Sequence, residues 1–404
     1  MIELKRKEDC CGCTACEQIC SKQAITMKYD WKGFIYPNVD NQKCSNCDIC
    51  KDTCPILNNR KERVPNHIYA IKNKNTQTRL NSSSGGVFSI LAINTINNGG
   101  IVYGATFDNE WRVVHSCIDN LNQIHTLQGS KYVQSALNNT FRQIKDFLEK
   151  DIPILFSGTP CQVAGLVNYL KKKYSNLTTV DFVCHGVPSP FIWKDYLDEI
   201  LSSLTTTSKH NDRGNTTTIK NISFRGKPHG WKKFHIIINT SANSNRQETP
   251  NTLVDEYVWE NDYMLSFLND YINRPSCHEC HFRKGKSGAD YTLADYWSID
   301  ELYPDFFDDN GVSLLLSYND KLPEYIKEQT DHIETTYEDA CRGNRCIQSS
   351  WPFKPASKIF FFFHHFLGCN IHNSLRYATL YERHDGGRKE IKKITRKIKS
   401  LWHK

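Results

Sequence analysis

The 404-residue chain has no apolar run long enough to cross a bilayer; IFFFFHHFLGC at 359–369 is too short and carries two histidines. Residues 1–9 are charged and no apolar stretch follows, so no secretory signal peptide is expected. No nucleic-acid motif occurs, and nothing repeats internally beyond one cysteine spacing. The net charge of +7 is modest and serves solubility or the attraction of an acidic partner. The 17 cysteines are an odd number in a long chain, which argues against a secreted disulfide scaffold and for a reducing, cytoplasmic setting. A 39% hydrophobic fraction supports a real core, and the length allows two or three domains.

What is there is a duplicated C-x2-C-x2-C-x3-C run: Cys10, Cys13, Cys16, Cys20, then Cys44, Cys47, Cys50, Cys54, with Pro55 behind the second copy and Ser21 behind the first. Three cysteines at three-residue steps wrap one cubane, and the fourth points to the other. The expected sets are therefore Cys10, Cys13, Cys16 with Cys54, and Cys44, Cys47, Cys50 with Cys20, holding two [4Fe-4S] clusters. A zinc ribbon fits less well, because zinc sites pair two C-x2-C units. Cys11 falls outside the pattern and reads as a spare. AITMKYDWKGFIYP between the copies predicts a short hairpin.

After a polar linker at 59–66 the pattern turns α/β. HIYAIKN (67–73) predicts a strand, and Val87–Ile96 a helix opened by the Ser82–Gly86 loop. IVYGATF (101–107) and WRVVHSCI (111–118) predict a hairpin, and 139–149 a helix. IPILF (152–156), a helix over 163–174 and LTTVDFVC (177–184) form a parallel crossover. Residues 204–217 read as a polar insertion, 222–227 and 233–241 as antiparallel strands, 256–270 as a helix, and GVSLLLSY (311–318) as a buried strand. Ile391, Ile394, Ile398 and Leu401 share one face of a basic terminal helix. That helix either packs on its own domain, the favoured reading, or lies on a membrane surface.

Four further cysteines offer a third site. Cys161 and Cys184 follow the carboxyl ends of parallel strands, the edge where open α/β sheets bind ligands. Cys277 and Cys280 form a C-x2-C in RPSCHECHF. In this company iron–sulfur is preferred to zinc, although Cys161 and Cys184 also suit small buried residues. Ser83–Gly86 opening a helix can cradle an anion, and Lys131 and Tyr132 in GSKY can add charge and stacking. His185 is a candidate proton donor. Arg225, His229 and Trp231 can line a pocket, and Asp290 and Asp295 either fix a loop or meet a cofactor.

SSSGGVFSILA, GSKYVQS, FSGTPCQVAGL, DFVCHGVPSP, SFRGKPHGW, RPSCHECHF and ADYTLADYW stand here in that order. Together they resemble the beta-subunit family of coenzyme F-420 hydrogenases and dehydrogenases, from residue 1 to about 320. The resemblance implies an α+β ferredoxin-like N-terminal module (1–60), followed by a mixed α/β flavin-binding catalytic region. That region divides into an FAD-binding part (61–150) and an α/β catalytic part (151–320), with 321–404 left as a helical basic tail. It implies FAD near Ser83, Ser84, Gly85, Gly86, Gly129, Ser130, Lys131, Tyr132, Thr159, Pro160 and Gln162, with His185 and Lys131 as candidate catalytic groups. A ferredoxin or similar donor would feed the clusters. FAD would pass a hydride to a small organic acceptor, the deazaflavin coenzyme among them. Some members accompany cell-surface polysaccharide gene sets. A homo-oligomer is compatible, as is an electron-transfer subunit serving a partner enzyme.

Overall fold

The computed structural model describes residues 1–207, 218–241, 250–351 and 355–383. Most of the expected polar insertion and the amphipathic tail at 391–401 lie outside the described residues.

Near the amino terminus the cysteine duplication becomes a structural one. Helical turns Ala15–Ile19 and Ile49–Thr53 each begin after a left-handed residue, Thr14 (φ 58°) and Asp48 (φ 59°), and each ends on an extended cysteine, Cys20 and Cys54. A left-handed threonine or aspartate is uncommon, and its recurrence at matching places shows two loops of one design. The hairpin between them, β1 (Ile25–Tyr29) and β2 (Ile35–Val39), is antiparallel as expected. Asp30 Oδ1 closes it, accepting from the amides of Lys32 (3.1 Å) and Phe34 (2.9 Å).

The remaining strands are β3 (His67–Asn73), β4 (Ile101–Phe107), β5 (Val113–Ile118), β6 (Ile154–Ser157), β7 (Leu177–Phe182), β8 (Thr218–Gly226), β9 (His235–Ser241), β10 (Pro250–Tyr257), β11 (Tyr291–Asp295), β12 (Ser313–Ser317) and β13 (Thr330–Glu334). Eight of them form one mixed sheet in the order β13-β3-β12-β11-β7-β6-β4-β5. The pairs β4–β6, β6–β7 and β7–β11 are parallel. β6 and β12 are buried at every position, the mark of a sheet covered on both faces. β8, β9 and β10 make a separate antiparallel sheet, and β9 alternates buried and half-buried residues, as a one-sided strand should. Helices Pro355–Phe366 and Ile371–Arg383 form a hairpin whose Phe361, Phe362, Ile371 and Ala378 share the core of that second sheet.

The crossover from β6 to β7 runs through helix Pro160–Leu170, which starts earlier than expected. Pro160 takes the first helical position, and Gln162 Oε1 accepts from the Thr159 amide at 2.9 Å. Three expectations change. The helix expected over 256–270 is reduced to Asp262–Leu268, because pairing with β9 keeps residues up to Tyr257 extended. Asn261 then caps the helix, its Oδ1 accepting from Met264 N at 3.0 Å. Residues 321–404 were expected to be helical, yet β13 is an edge strand of the main sheet on β3; its sequence TDHIE carries too little apolar alternation to announce a strand. The main sheet also draws strands from both sides of residue 150, so the expected boundary there falls inside one sheet. Among the described residues no helix is long and apolar enough to cross a membrane.

Candidate redox site

The N-terminal thiols gather in two neighbourhoods, each drawing on both copies of the cysteine run. Burial and the neighbouring Cys10 and Cys54 push the Cys16 thiol up, and burial and Cys10 push up Cys54. Cys20, Cys44, Cys47 and Cys50 line one cavity with Ile2, Ile19, Ala24, Ile25 and Val39 for walls. Cys47 is its exposed member, and the backbone at Ile49 holds its thiol below the ordinary range. Four thiols around an apolar cavity are a donor set suited to a cubane. Among the described residues no three His, Cys, Asp or Glu side chains form a site for a single metal ion.

A third set gathers at the carboxyl edge of the sheet. Burial, with Cys277, Cys161 and Cys280 close by, raises the Cys184 thiol. Cys11 is no spare. It is buried, and it sits between Cys13 and Cys161, in side-chain contact with both.

Beside this edge the Ser83–Gly86 loop and the Gly129–Tyr132 segment meet. Ser83 Oγ accepts from the Ser130 amide at 2.7 Å and touches its hydroxyl at 2.9 Å. Ser84 Oγ donates to Val312 O at 2.9 Å, and the Gly85 amide donates to Ser313 Oγ at 2.8 Å. Gly86 (φ +84°) starts the helix Val87–Asn97. Gly85 lies so close to β3 and β12 that a Cβ would stand 2.4 Å from Ile71 O and 2.6 Å from Ser313 N. Gly85→Ala is therefore expected to cost about 1–3 kcal/mol by overpacking, read as a lower urea midpoint. At Gly129 (φ +77°) a Cβ would meet nothing within 4 Å, so that side of the cradle is open.

Arg225 ties the cradle together. Its guanidinium donates to Asp295 (2.8 and 2.9 Å), the Ser83 carbonyl (3.1 Å) and the Tyr132 hydroxyl (3.2 Å). Its Nε is buried without a partner. Asp295 also accepts from Trp231 Nε1 at 2.7 Å, and Trp231 stacks on Trp297. Of the two candidate aspartates, then, Asp295 belongs to the site. Asp290 fixes a loop, accepting from the amide and hydroxyl of Thr179 at 2.8 Å each. His229 is exposed and packs on His235, away from Arg225's partners.

Lys131 Nζ donates to the carbonyls of Thr126 (3.0 Å) and Gln128 (2.8 Å). The residue keeps some exposure along its stem, but burial of the ammonium lowers it to about 7. Between pH 7 and 10 the unfolded chain thus carries a proton that the folded one lacks, so this group makes stability rise with pH across that window and contributes least below pH 7. Lys131→Met is expected to remove a slope of about 1.4 kcal/mol per pH unit there, measured by urea unfolding of flavin-free protein at several pH values.

Thr159, Pro160 and Gln162 lie on the thiol side. Thr159 Oγ1 is 3.1 Å from Cys161 Sγ, and Gln162 Nε2 donates to Ser135 Oγ at 3.3 Å. His185, next to Cys184, faces Asp270 at 3.3 Å; burial opposes its charged form, but Asp270 and Cys346 outweigh burial and raise it to about 9. Its ring meets Phe267 edge-on at 5.0 Å, and Phe267 stacks on Tyr132 at 4.9 Å. Thiol edge and cradle are thus joined by packed rings. Cys346, part of this neighbourhood, carries no local motif that would mark it in the sequence, and Arg274 opens the RPSCHECHF segment without being singled out there.

Residues 153–340 match the family model for the carboxyl-terminal part of the coenzyme F420 hydrogenase/dehydrogenase beta subunit. The chain is 24% identical over 177 residues to the F subunit of F(420)H(2) dehydrogenase from Methanosarcina mazei, a match over 40% of this chain and 49% of the relative. The chain thus spans about half the length of that relative. A solved structure, "Xenon derivatization of the F420-reducing [NiFe] hydrogenase complex from Methanosarcina barkeri", overlaps 80% of this chain and 93% of its own at 13% identity and a TM-score of 0.38. An overlap this loose adds nothing to the assignment.

Proposed function

We propose that the chain is an iron–sulfur flavoprotein oxidoreductase, carrying single electrons from a ferredoxin-like donor through [4Fe-4S] centres to FAD and on to an organic hydride acceptor such as a deazaflavin. The observation that carries this reading is a succession of neighbouring side chains. It runs from exposed Cys47 and buried Cys50 toward Cys16 and Cys13, through Cys11 to Cys161 and on toward Cys184, and by His185, Phe267 and Tyr132 to the cradle.

The residues suit the groups they would hold. Each thiol set offers four cysteines, and the cradle offers a buried guanidinium with an unpartnered Nε and an open glycine turn. Flavin, when bound, converts one-electron supply into hydride transfer. Ser83, Ser130, Tyr132 and Arg225 would hold it, Lys131 ties its own turn to the Thr126 and Gln128 carbonyls, and His185 keeps a proton near the thiol edge. Cys161→Ala is expected to lower iron and sulfide by one cluster in anaerobically prepared protein; an unchanged count would reject the third set as a cluster site. The second reading, a carrier that feeds a partner enzyme, is favoured by the family's subunit character. It predicts that the isolated chain reduces no acceptor yet copurifies with its partner.

A further inference from the structure

Around the third thiol set stand two buried guanidiniums, to which the described residues give no carboxylate at ion-pair distance, and a buried lysine whose ammonium burial lowers to about 7. Arg274 is 1% exposed, and its guanidinium donates to Cys10 O (2.7 Å), Gln134 Oε1 (3.0 Å) and Ile35 O (2.7 Å). It lies over the Tyr36 ring at 4.6 Å. Arg283 is 9% exposed and donates to Ser350 Oγ (3.0 Å) and to the carbonyls of Cys184 (3.1 Å) and Cys346 (2.5 Å). Lys358, 2% exposed, donates to Asn273 O and stands 3.0 Å from His278 Nε2. The buried acid beside them, Asp270, is engaged by His185 and Asn273.

Carbonyls satisfy hydrogen bonds but not charge, and buried charge without a counter-charge costs several kcal/mol. The thiol set is what these cations face. Arg283 donates to the carbonyl of Cys184 itself, the amide of Cys277 donates to Arg274 O at 3.0 Å, and Lys358 stands against His278, the chain neighbour of Cys277. The second set differs. Its cations, the Met1 ammonium and Lys51, are substantially exposed and already paired with Asp48.

We propose that Arg274 and Arg283 are a fixed counter-charge that makes the third centre the highest in potential of the three, so that electrons entering near Cys47 collect at the edge next to the cradle. The inference rests on the function proposed above. Each transfer moves one electron and no proton. The external donor is oxidised and the centre reduced, gaining one negative charge that nearby buried cations stabilise. Net charge and burial are what tune such potentials.

The test is an EPR-monitored redox titration of the full chain, prepared without oxygen, after counting iron and sulfide. One centre should titrate above the other two. Arg283→Gln should lower that centre alone, with about tenfold less reduced form at a fixed potential, equivalent to about 59 mV for one electron, while Arg283→Lys should keep most of the wild-type value. Arg274→Gln should lower the first and third centres together. Where Arg274→Gln does not accumulate, because it ties three segments, the Arg283 pair decides. Full iron with an unmoved third centre in Arg283→Gln, or an equal shift of all centres, overturns the inference. Iron for two clusters only in the wild type overturns the third centre itself, a different failure read from the count alone.

Discussion

Replacing Cys47 by serine is expected to remove one cluster, lowering iron and acid-labile sulfide by about four atoms each per chain. Reduction of bound flavin by an external one-electron donor should then fall to the rate of the uncatalysed reaction. Cys47 is the exposed member of its set, so the substitution touches little of the core and the rest of the chain should stay folded. Cys20→Ser should give the same loss although it belongs to the other sequence copy, because Cys20 lines the same cavity as Cys44, Cys47 and Cys50. That pairing separates the crossed arrangement from two independent loops. Cys11→Ser is the control: it should keep the full iron count, since Cys11 lies between sets. Unchanged iron and an unchanged rate in Cys47→Ser would remove the electron gateway on which the reading depends.

What could be seen in the sequence followed the range of the interactions. The two matching loops that carry the eight N-terminal cysteines were legible because their spacing repeats at fixed local steps, and the β6–β7 crossover because strand, loop and helix are contiguous. Cys161, Cys184, Cys277 and Cys280 were nameable one by one, but their convergence depends on β7 and β11 pairing in parallel across a long stretch of chain. Lys358 was invisible, since a buried lysine reads in sequence like any surface one. β13 was lost because an edge strand with half-exposed residues lacks a hydrophobic period. The role of Asp295, as opposed to Asp290, needed the second sheet to bring Arg225 to it.

The Arg225–Asp295 pair should dominate the stability of the cradle. Its side chains are 3% and 15% exposed, so neither charge is screened by much water. Arg225→Met leaves Asp295 with only Trp231 Nε1 among its side-chain donors, and breaking a buried pair this way costs about 3–5 kcal/mol. Asp295→Asn leaves the guanidinium unbalanced and should cost a comparable amount. The double variant removes both charges and should recover much of the loss, because replacing a whole buried pair is often near neutral. Urea unfolding of the three variants gives the coupling; strictly additive losses would show that the two side chains act independently. The double variant also separates scaffold from binding. Arg225 props Ser83 O and the Tyr132 hydroxyl and holds an unpartnered Nε. If that nitrogen receives an anionic part of the flavin nucleotide, the refolded double variant should still lose flavin on gel filtration. Full retention would restrict Arg225 to holding the two loops together.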